Sequence, residues 1–198
     1  FYSRGGLMPQ IGFDNLYFHN SLYPEMEIWG WNGDYTPDSY TMERMLPMIS
    51  STDDPFYSFW ATMSTHGPYN YGTVNIELYE ELGYFAAIDQ AEADVLWTNV
   101  LAEAAEEDML RIRHYQAAVM ELDKAIGMLV DDLDEKGILD DTIIVMFGDH
   151  NVYYHNIHLK IFESTNNEHY NMEMYQNFFC IYNTELSKQY LLKSGDNY

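Results

Sequence analysis

The chain has 198 residues, 47% of them hydrophobic, and a formal net charge of −23 from 9 Lys and Arg against 32 Asp and Glu. This length and apolar content predict one globular domain with a real core and exclude a disordered chain. The charge argues against nucleic acid and anionic membrane surfaces as partners, since both are bound by basic surfaces. The sequence contains no signal-peptide pattern and no apolar run near the ~20 residues that cross a bilayer.

The chain opens on FYSRGG rather than on Met, and we interpret it as a piece of a longer protein. Its single cysteine, Cys180, lies in the apolar run NFFCIYN, which predicts a buried structural thiol. One cysteine fits a cytosolic protein and equally an exported protein from bacteria that form few disulfides. The 18 Tyr, 4 Trp and 10 Phe suit carbohydrate or polyol ligands, or ordinary core and interface packing.

The first half of the chain predicts loops, one helix and one strand. Residues 1–50 are irregular apart from a short helix near 37–50, with Pro37 in its first turn. The Asp-Asp-Pro turn at 53–55 precedes residues 56–64, which predict a buried aromatic strand. Gly67 and Pro68 end this strand, so His66 is expected just beyond a strand end.

The second half predicts helices followed by two strands. Residues 76–110 are rich in Ala and Glu and predict helix, and an amphipathic helix of about 25 residues follows, with Asp and Glu on its solvated face. Gly137 is its predicted C-cap, and His114 within it is expected to be structural. TIIVMF at 142–147 predicts a central, buried strand, and FFCIYN at 178–183 another. This order indicates an α/β fold with ligands at the carboxyl ends of strands. The apolar stripe of the long helix consists of Ile112, Tyr115, Val119, Leu122, Ile126, Leu129 and Leu133.

Asp149 and His150 follow Gly148 at the end of the predicted strand TIIVMF, where the backbone holds side chains firmly. A carboxylate oxygen beside an imidazole nitrogen suits Zn²⁺ or Mn²⁺, and Gly148 would let the backbone turn so that both face one point. The alternative is that Asp149 caps a loop or a helix while His150 lies on the surface. Two ligands are also fewer than the three or four that a metal site usually has.

Four further residues are candidates for chemistry on weaker grounds. His66 follows a predicted strand, and Arg4 is the only cation in the first forty residues, where it could pair bidentately with phosphate. His155 and His158 lie in YYHNIHLK. Each has a plain structural or surface alternative.

The stretches FYSRGGLMPQIGFDNLYF, FWATMSTHGPYN and GILDDTIIVMFGDHN together carry a family resemblance. In order and spacing they resemble the sulfatase-like phosphotransferases of the alkaline phosphatase superfamily. Within it they are most similar to the extracellular domain of lipoteichoic acid synthases, which are polyglycerolphosphate transferases. The resemblance implies an α/β fold, a partial alkaline-phosphatase/sulfatase-like sheet flanked by helices. Residues 1–198 would then be the C-terminal portion of the catalytic domain.

The resemblance also implies roles for individual residues. Asp149 and His150 would be ligands of a divalent metal, Mn²⁺ first and Mg²⁺ or Zn²⁺ as alternatives. His66 and Arg4 would contact the phosphoglycerol group. Tyr2 stands where the family has a substrate-contacting Trp, and the residues after the GDH motif depart from the synthases' usual continuation.

The family's nucleophile is a Thr, and a Glu completes its metal site. The resemblance implies that both lie upstream of Phe1, because neither Thr62 nor Thr65 fits the nucleophile's motif. We therefore expect this chain alone to be inactive and to bind divalent metal weakly. In the family's mechanism the Thr attacks the phosphodiester and forms a covalent phospho-enzyme.

For the parent protein, the resemblance implies metal-dependent transfer of a phosphoglycerol or related phosphoryl-alcohol group. The donor would be a phospholipid head group, and the acceptor a cell-envelope glycopolymer or glycolipid. The expected location is the extracellular face of a bacterial membrane, anchored by a segment absent from this chain. A sulfatase or phosphodiesterase on the same fold, or a non-catalytic binding domain, is the alternative.

Overall fold

A computed structural model describes residues 3–22, 36–49, 54–67, 69, 75–94, 106–150 and 177–185. Within these ranges the N-terminal stretch forms short helical segments, and longer helices and two strands follow. In chain order the elements are α1 Arg4–Leu7, a 3-10 turn Met8–Ile11, α2 His19–Leu22, α3 Asp38–Ile49, α4 Asn75–Glu81, α5 Tyr84–Asp94, α6 Glu106–Glu135, β1 Ile144–Phe147 and β2 Phe179–Tyr182.

The helix predicted near 37–50 is confirmed as α3, which begins one residue after Pro37. The Pro37 carbonyl accepts the backbone N–H groups of Tyr40 and Thr41, both at 3.1 Å, so the proline precedes the helix rather than lying inside its first turn. Met42 is fully buried on the inner face of α3. Burying this side chain against α6 anchors the helix, because apolar surface removed from water stabilises the fold.

The prediction of a buried strand over 56–64 is wrong. Residues 55–63 are assigned neither helix nor strand, and their aromatic side chains face solvent, with Tyr57 75% exposed and Phe56 40% exposed. Aromatic residues favour strands only where a neighbouring strand offers hydrogen bonds and packing. Among the described residues no strand pairs with this segment.

The helices predicted over 76–110 are confirmed at α4 and α5, while residues 95–105 lie outside the described ranges. Gly83, at φ +74°, makes the turn between the two helices, in the left-handed region that favours glycine. These helices pack on α6 and build the core. Its buried members are Ile76, Tyr79, Tyr84, Phe85, Ile88, Ala117 and Ala118.

The long helix is confirmed and runs 30 residues as α6. It ends as predicted at Gly137, which has φ +69°. The Gly137 N–H donates to the Asp134 carbonyl at 2.9 Å, and the Ile138 N–H donates to the Leu133 carbonyl at 3.0 Å. This pair of bonds is the Schellman arrangement, which satisfies carbonyls that the helix end would otherwise leave open.

The buried face of α6 differs from the predicted apolar stripe. It is centred on the small residues Ala117, Ala118 and Ala125, whereas Val119 is 40% exposed. Small side chains let neighbouring helices approach closely, so they set the contact face here. The expectation that acidic residues fill the outer face is wrong for Glu121, which is fully buried. His114 lies in the core as expected, with its ring 5.7 Å from that of Tyr79.

Both predicted second-half strands are confirmed, and β1 and β2 pair antiparallel with Val145 opposite Ile181 and Phe147 opposite Phe179. The side-chain amide of Asn183 donates to the carbonyls of Asp140 and Thr142, at 3.1 and 2.7 Å, and ties the end of β2 to the start of β1. The α/β class is therefore confirmed, with helices beside a small sheet. In the part of the chain that the structure describes, no helix is long and apolar enough to cross a membrane.

The burial expected of the TIIVMF strand is found on one face only. Ile144 and Met146 face α6 across a cleft, whereas Val145 and Phe147 are 48% and 56% exposed. Cys180 is half-buried, which corrects its prediction as a buried thiol. Alternation of exposure along the strand is the pattern of a sheet with one packed face.

Candidate functional site

The carboxyl end of β1 carries Asp149 and His150, which we call the strand-end pair. Phe147 is the last strand residue, and the pair follows after Gly148. The His150 Nε2 atom lies 3.6 Å from the Asp149 Oδ1 atom, so the two side chains converge. The Asp149 side chain is 81% exposed and that of His150 35%. Their attraction contributes little to stability, because exposed ion pairs are screened by water.

Gly148 is needed for space rather than for a left-handed turn. Its φ angle is not positive, unlike those of Gly12, Gly83 and Gly137. A Cβ atom at this position would overlap the side-chain amide of Asn177, which lies just before β2. The Gly148 N–H donates to the Phe178 carbonyl at 3.1 Å, and the Phe178 N–H donates to Asn177 Oδ1 at 2.8 Å. The close approach of the two chain segments therefore fixes the backbone from which the strand-end pair projects.

His66 lies on a tight turn, residues 63–67, which we call the His66 turn. Its backbone N–H donates to the Met63 carbonyl at 3.0 Å. The ring of His66 approaches that of His150 edge-on, with 6.4 Å between ring centroids and 81° between planes. The two histidines come from motifs far apart in sequence, and the fold brings them to one place beside Asp149.

The tautomer of His66 follows from its hydrogen bond. Its Nδ1 atom lies 2.6 Å from the Gly67 carbonyl oxygen. A carbonyl oxygen only accepts, so Nδ1 carries the proton. In the neutral ring the lone pair then belongs to Nε2, which can accept a proton or a hydrogen bond. This is the arrangement required of a side chain that exchanges a proton with a substrate hydroxyl.

The His66 turn is tied into the helical core by a buried carboxylate. Asp38 is 1% exposed, and its two oxygens accept the backbone N–H groups of Met63 and Ser64, at 2.9 and 3.0 Å. In return the Ser64 hydroxyl accepts the Asp38 N–H at 2.9 Å. Burial raises the pKa of Asp38 to about 6, against the hydrogen bonds from Met63 and Ser64, which lower it.

A second contact holds the other side of the same turn. The hydroxyl of Tyr69, a buried residue of the THGPY motif, donates to the Thr65 carbonyl. The Tyr69 ring packs edge-on against Tyr115 and His114 of α6. The sequence analysis did not single out Asp38 or Tyr69. The fixed place of Tyr69 three residues after His66 was the only available signal, since nothing in the sequence links Asp38 to residue 64.

Glu121, a fully buried residue of α6, lies near Asp38 and forms a buried polar cluster with it. Its Oε1 atom accepts the Ser39 N–H at 2.9 Å, and its Oε2 atom accepts the Tyr84 hydroxyl at 3.0 Å. The first N–H groups of α3 thus meet Ser64 and Glu121, which satisfies donors that a helix start leaves open. Burial and the neighbouring Glu121 charge raise the pKa of Tyr84, which therefore stays protonated.

The remaining predicted residues divide into described and undescribed ones. Arg4 is half-buried at the first residue of α1, and its contact with substrate stays a prediction. Tyr2, His155 and His158 lie outside the described residues. The roles of Asp149, His150 and His66 likewise stay predictions, although the structure gathers all three.

The strand-end pair offers two protein ligands to a metal ion. Within the described residues, no group of three or more His, Cys, Asp or Glu side chains lies close enough to hold an ion. Asp149 Oδ1 and His150 Nε2 offer a hard oxygen and an imidazole nitrogen that face each other. Their chemistry fits a divalent cation, and their number fits part of a coordination sphere.

Comparison with known proteins gives relatives that are named as lipoteichoic acid synthases and as a cyclic β-1,2-glucan modification protein. The chain is 24% identical over 150 residues to lipoteichoic acid synthase 2 of Bacillus subtilis (strain 168). The matched region covers 76% of this chain and 19% of that protein. It is 25% identical over 151 residues to lipoteichoic acid synthase 1 of the same organism, spanning 76% and 20%. It is 27% identical over 150 residues to a protein of Rhizobium meliloti (strain 1021) named for cyclic β-1,2-glucan modification, spanning 76% and 20%.

The chain thus spans about a fifth of the length of these relatives. No solved structure matches it. The sequence profile of the Sulfatase family matches residues 1–188, which include the His66 turn and the strand-end pair. On this match, which covers nearly the whole chain, the protein belongs to the sulfatase family.

Proposed function

We propose that the protein to which this chain belongs transfers a phosphoglycerol or related phosphoryl-alcohol group. The donor is a phospholipid head group, and the acceptor is a cell-envelope glycopolymer or glycolipid. The observation that carries the proposal is the meeting of His66 with the strand-end pair, with 6.4 Å between the two histidine rings. The names of the lipoteichoic acid synthases support the transferred group, and that of the glucan modification protein supports a glycan acceptor.

Asp149 and His150 are the proposed holders of a divalent cation, Mn²⁺ first and Mg²⁺ or Zn²⁺ as alternatives. Such an ion neutralises charge that develops on phosphoryl oxygens and lowers the pKa of a bound hydroxyl. The chain's own contribution is to hold one carboxylate oxygen and one imidazole nitrogen 3.6 Å apart at a strand end. The other ligands, a Glu and the Thr nucleophile, are expected upstream.

His66 is the proposed proton carrier. Breaking the phosphodiester releases an alcohol that needs a proton, and the acceptor hydroxyl must lose one in the second half of the transfer. The Nε2 atom can serve both steps, since Nδ1 is committed to the Gly67 carbonyl. With both ring nitrogens protonated, Nε2 donates its proton to the leaving alcohol, and the neutral ring that results takes the proton of the acceptor hydroxyl. Arg4 is proposed to pair with the phosphoryl oxygens, and Tyr2 to contact the glycerol group.

We further propose that the parent protein works at the extracellular face of a bacterial membrane, held there by a segment outside this chain. A phospholipid donor demands access to a membrane surface. The net charge of −23 makes direct adhesion of this chain to anionic lipid unfavourable, so an anchor has to bring the site to its donor.

A hydrolase on the same fold is the second candidate, and the family's description as Sulfatase favours it. The two reactions share the first step and differ in what accepts the group. In a sulfatase or phosphodiesterase, water takes the place of the glycan hydroxyl. A sulfate ester substrate would replace the phospholipid.

The test uses the full-length protein with vesicles of phosphatidylglycerol, Mn²⁺ and a glycolipid acceptor. The proposal expects release of diacylglycerol, transfer of glycerol phosphate to the acceptor, and loss of both in His66→Ala. Release of glycerol phosphate into water without transfer would assign a phosphodiesterase. Cleavage of p-nitrophenyl sulfate with no action on the lipid would assign a sulfatase. No turnover of any substrate would contradict both.

A further inference from the structure

Asp38 is a buried charged group that the proposed reaction does not use. It is 1% exposed on α3, far from solvent, and its carboxylate faces the backbone of the His66 turn. Placing a carboxylate in the interior is costly unless every oxygen is hydrogen-bonded. We propose that Asp38 is a positioning residue, which holds His66 near the strand-end pair through hydrogen bonds to the backbone of the His66 turn. This inference rests on the role proposed for His66 and adds a determinant of its placement.

These two hydrogen bonds require a carboxylate. The N–H groups of Met63 and Ser64 point to different oxygens of Asp38, at 2.9 and 3.0 Å. Two consecutive backbone donors need two acceptors on one side chain, which Asp supplies and Asn does not. An Asn amide would set its NH₂ group against one of the donors. Because an unsatisfied buried donor is costly, the turn would shift to escape it.

The link from Asp38 to His66 is short and rigid. Met63 and Ser64 are bound by Asp38, and the Met63 carbonyl accepts the His66 N–H at 3.0 Å. Tyr69 holds the Thr65 carbonyl on the opposite side. The residues before His66 are thus fixed from both sides. The Nδ1 bond to the Gly67 carbonyl orients the ring on this backbone, with its edge near His150.

The chain offers a matched control for this role in Glu121. It too is a fully buried carboxylate that accepts a backbone N–H of α3, that of Ser39. The hydrogen bonds of Glu121 go to Ser39 and Tyr84, and neither residue belongs to the His66 turn. In Glu121→Gln the amide oxygen still accepts the Ser39 N–H, and the amide NH₂ can donate to the Tyr84 hydroxyl. Both variants replace a buried carboxyl group by an amide, but only Asp38→Asn disturbs the hydrogen bonds to the His66 turn.

The experiment compares Asp38→Asn and Glu121→Gln in the full-length protein. Turnover of phosphatidylglycerol gives kcat and KM, and imidazole ¹⁵N spectra, assigned with His66→Gln, give the tautomer and environment of His66. We expect kcat of Asp38→Asn to fall about tenfold to a hundredfold with KM nearly unchanged, because small misplacements of a reacting group cost that much. We also expect the His66 signals to change in Asp38→Asn and to stay as in the wild type in Glu121→Gln.

Two results would overturn the inference. One is an Asp38→Asn protein with wild-type kcat and wild-type His66 signals. The other is a Glu121→Gln protein with the same loss and the same spectral change, which would reduce Asp38 to a general support of the core. If Asp38→Asn does not fold, Asp38→Glu takes its place, because it keeps both carboxylate oxygens but moves them by one methylene group relative to the N–H groups of Met63 and Ser64.

Unchanged kcat and His66 signals in Asp38→Glu would then overturn the inference in the same way. The spectra also separate this inference from the proposed function. If the wild type turns over no phospholipid, the proposed function fails. The His66 signals of Asp38→Asn and Glu121→Gln still decide whether Asp38 positions the imidazole.

Discussion

The two halves of the candidate site have different support. The His66 turn is bound by Asp38 and Tyr69, which belong to the packed helical core. The strand-end pair projects from a two-stranded sheet whose outer face is apolar and exposed, with Phe147 at 56% and its partner Phe179 at 66%. One half of the site is therefore fixed by buried hydrogen bonds, and the other by a backbone that has little packing of its own on one side.

This contrast shows where stability and chemistry separate. Asp38 and Glu121 are buried and stabilised by hydrogen bonds, while the Asp149 side chain is 81% exposed. Substitutions in the first region should change folding and, through the His66 turn, geometry. Substitutions of the strand-end pair should change binding and leave the free energy of unfolding nearly unchanged.

Asp149→Ala gives the largest expected effect. In the full-length protein, loss of the carboxylate should lower turnover by about 10³-fold, because a metal's stabilisation of the transition state is worth several kcal/mol. The melting temperature should not change when no metal is added, since the Asp149 side chain is exposed and its contact with His150 is itself partly exposed. Turnover assays and calorimetric melting check both parts. A large loss of stability would show that Asp149 supports the fold instead.

The same variant tests the ligand count in the 198-residue chain alone. Titration with Mn²⁺ should show weak binding and no turnover, because two ligands leave most of the coordination sphere to water. Tight one-to-one binding that Asp149→Ala abolishes, or any turnover by this chain, would mean that it holds a complete site. The expectation of ligands upstream would then be wrong.

Truncating one apolar side chain in each region tests the difference in packing. Leu133, 1% exposed, lies on the inner face of α6, and Leu133→Ala should cost about 2–5 kcal/mol of unfolding free energy. Phe147→Ala should cost under about 1 kcal/mol, the worth of one cross-strand pair on an open face. Urea denaturation measures both. Equal costs would show that the outer face of the sheet is covered in solution, and the contrast between the regions would disappear.

The sequence predicted the elements better than their surroundings. Periodicity located α3 and α6, and the left-handed preference of glycine located the helix end at Gly137, because these are local properties of the chain. The strand expected at 56–64 failed because a strand needs a partner, and the aromatic run carries no information about one. The burial of Glu121 was also missed, since it depends on a hydroxyl and an N–H from other helices.

The candidate site divides along the same line. Asp149, His150 and His66 were found because short motifs mark them. Asp38 was missed because its link to the His66 turn spans 25 and 26 residues and has no local signature. Hydrogen bonds between distant segments are decided by the tertiary fold, which a single sequence does not display.

Two buried groups of the core should give stability opposite dependences on pH. Burial raises the pKa of Asp38 from 3.8 to about 6, so the folded state holds a proton in this window that the unfolded state has released. Its contribution is present below pH 3.8 and lost as pH rises to about 6. Burial lowers the pKa of His114 from 6.5 to about 4, so its contribution is present above pH 6.5 and lost as pH falls toward 4.

Removing either group should reveal the slope of the other. In Asp38→Asn, stability should rise with pH between 4 and 6, and in His114→Phe it should fall, each by up to about 1.4 kcal/mol per pH unit. Both variants retain Glu121, so they differ only at positions 38 and 114. Urea denaturation at pH 4, 5, 6 and 7 gives the slopes. Parallel slopes in the two variants would show that neither group titrates as its burial requires.

Modest losses of stability, with different physical causes, are expected at two glycines, one in each region. Gly137 has φ +69° and open space around its Cβ position, so Gly137→Ala should cost about 1–2 kcal/mol through the backbone alone. Gly148 lacks a positive φ, and a methyl group there would overlap the Asn177 amide. Gly148→Ala should therefore displace that amide from the Phe178 N–H and cost about 0.5–1.5 kcal/mol, the worth of one hydrogen bond.

A double-mutant cycle separates these two causes. Asn177→Ala already gives up the bond to Phe178 and vacates the space beside Gly148, so adding Gly148→Ala to it should cost almost nothing further. Adding Gly137→Ala to Asn177→Ala should cost as much as Gly137→Ala alone, because the two positions share no contact in the described structure. Additive losses for the pair 148 and 177 would mean that Gly148 is required for its backbone. The strand-end pair would then owe its direction to the conformation of that glycine and not to the neighbouring strand.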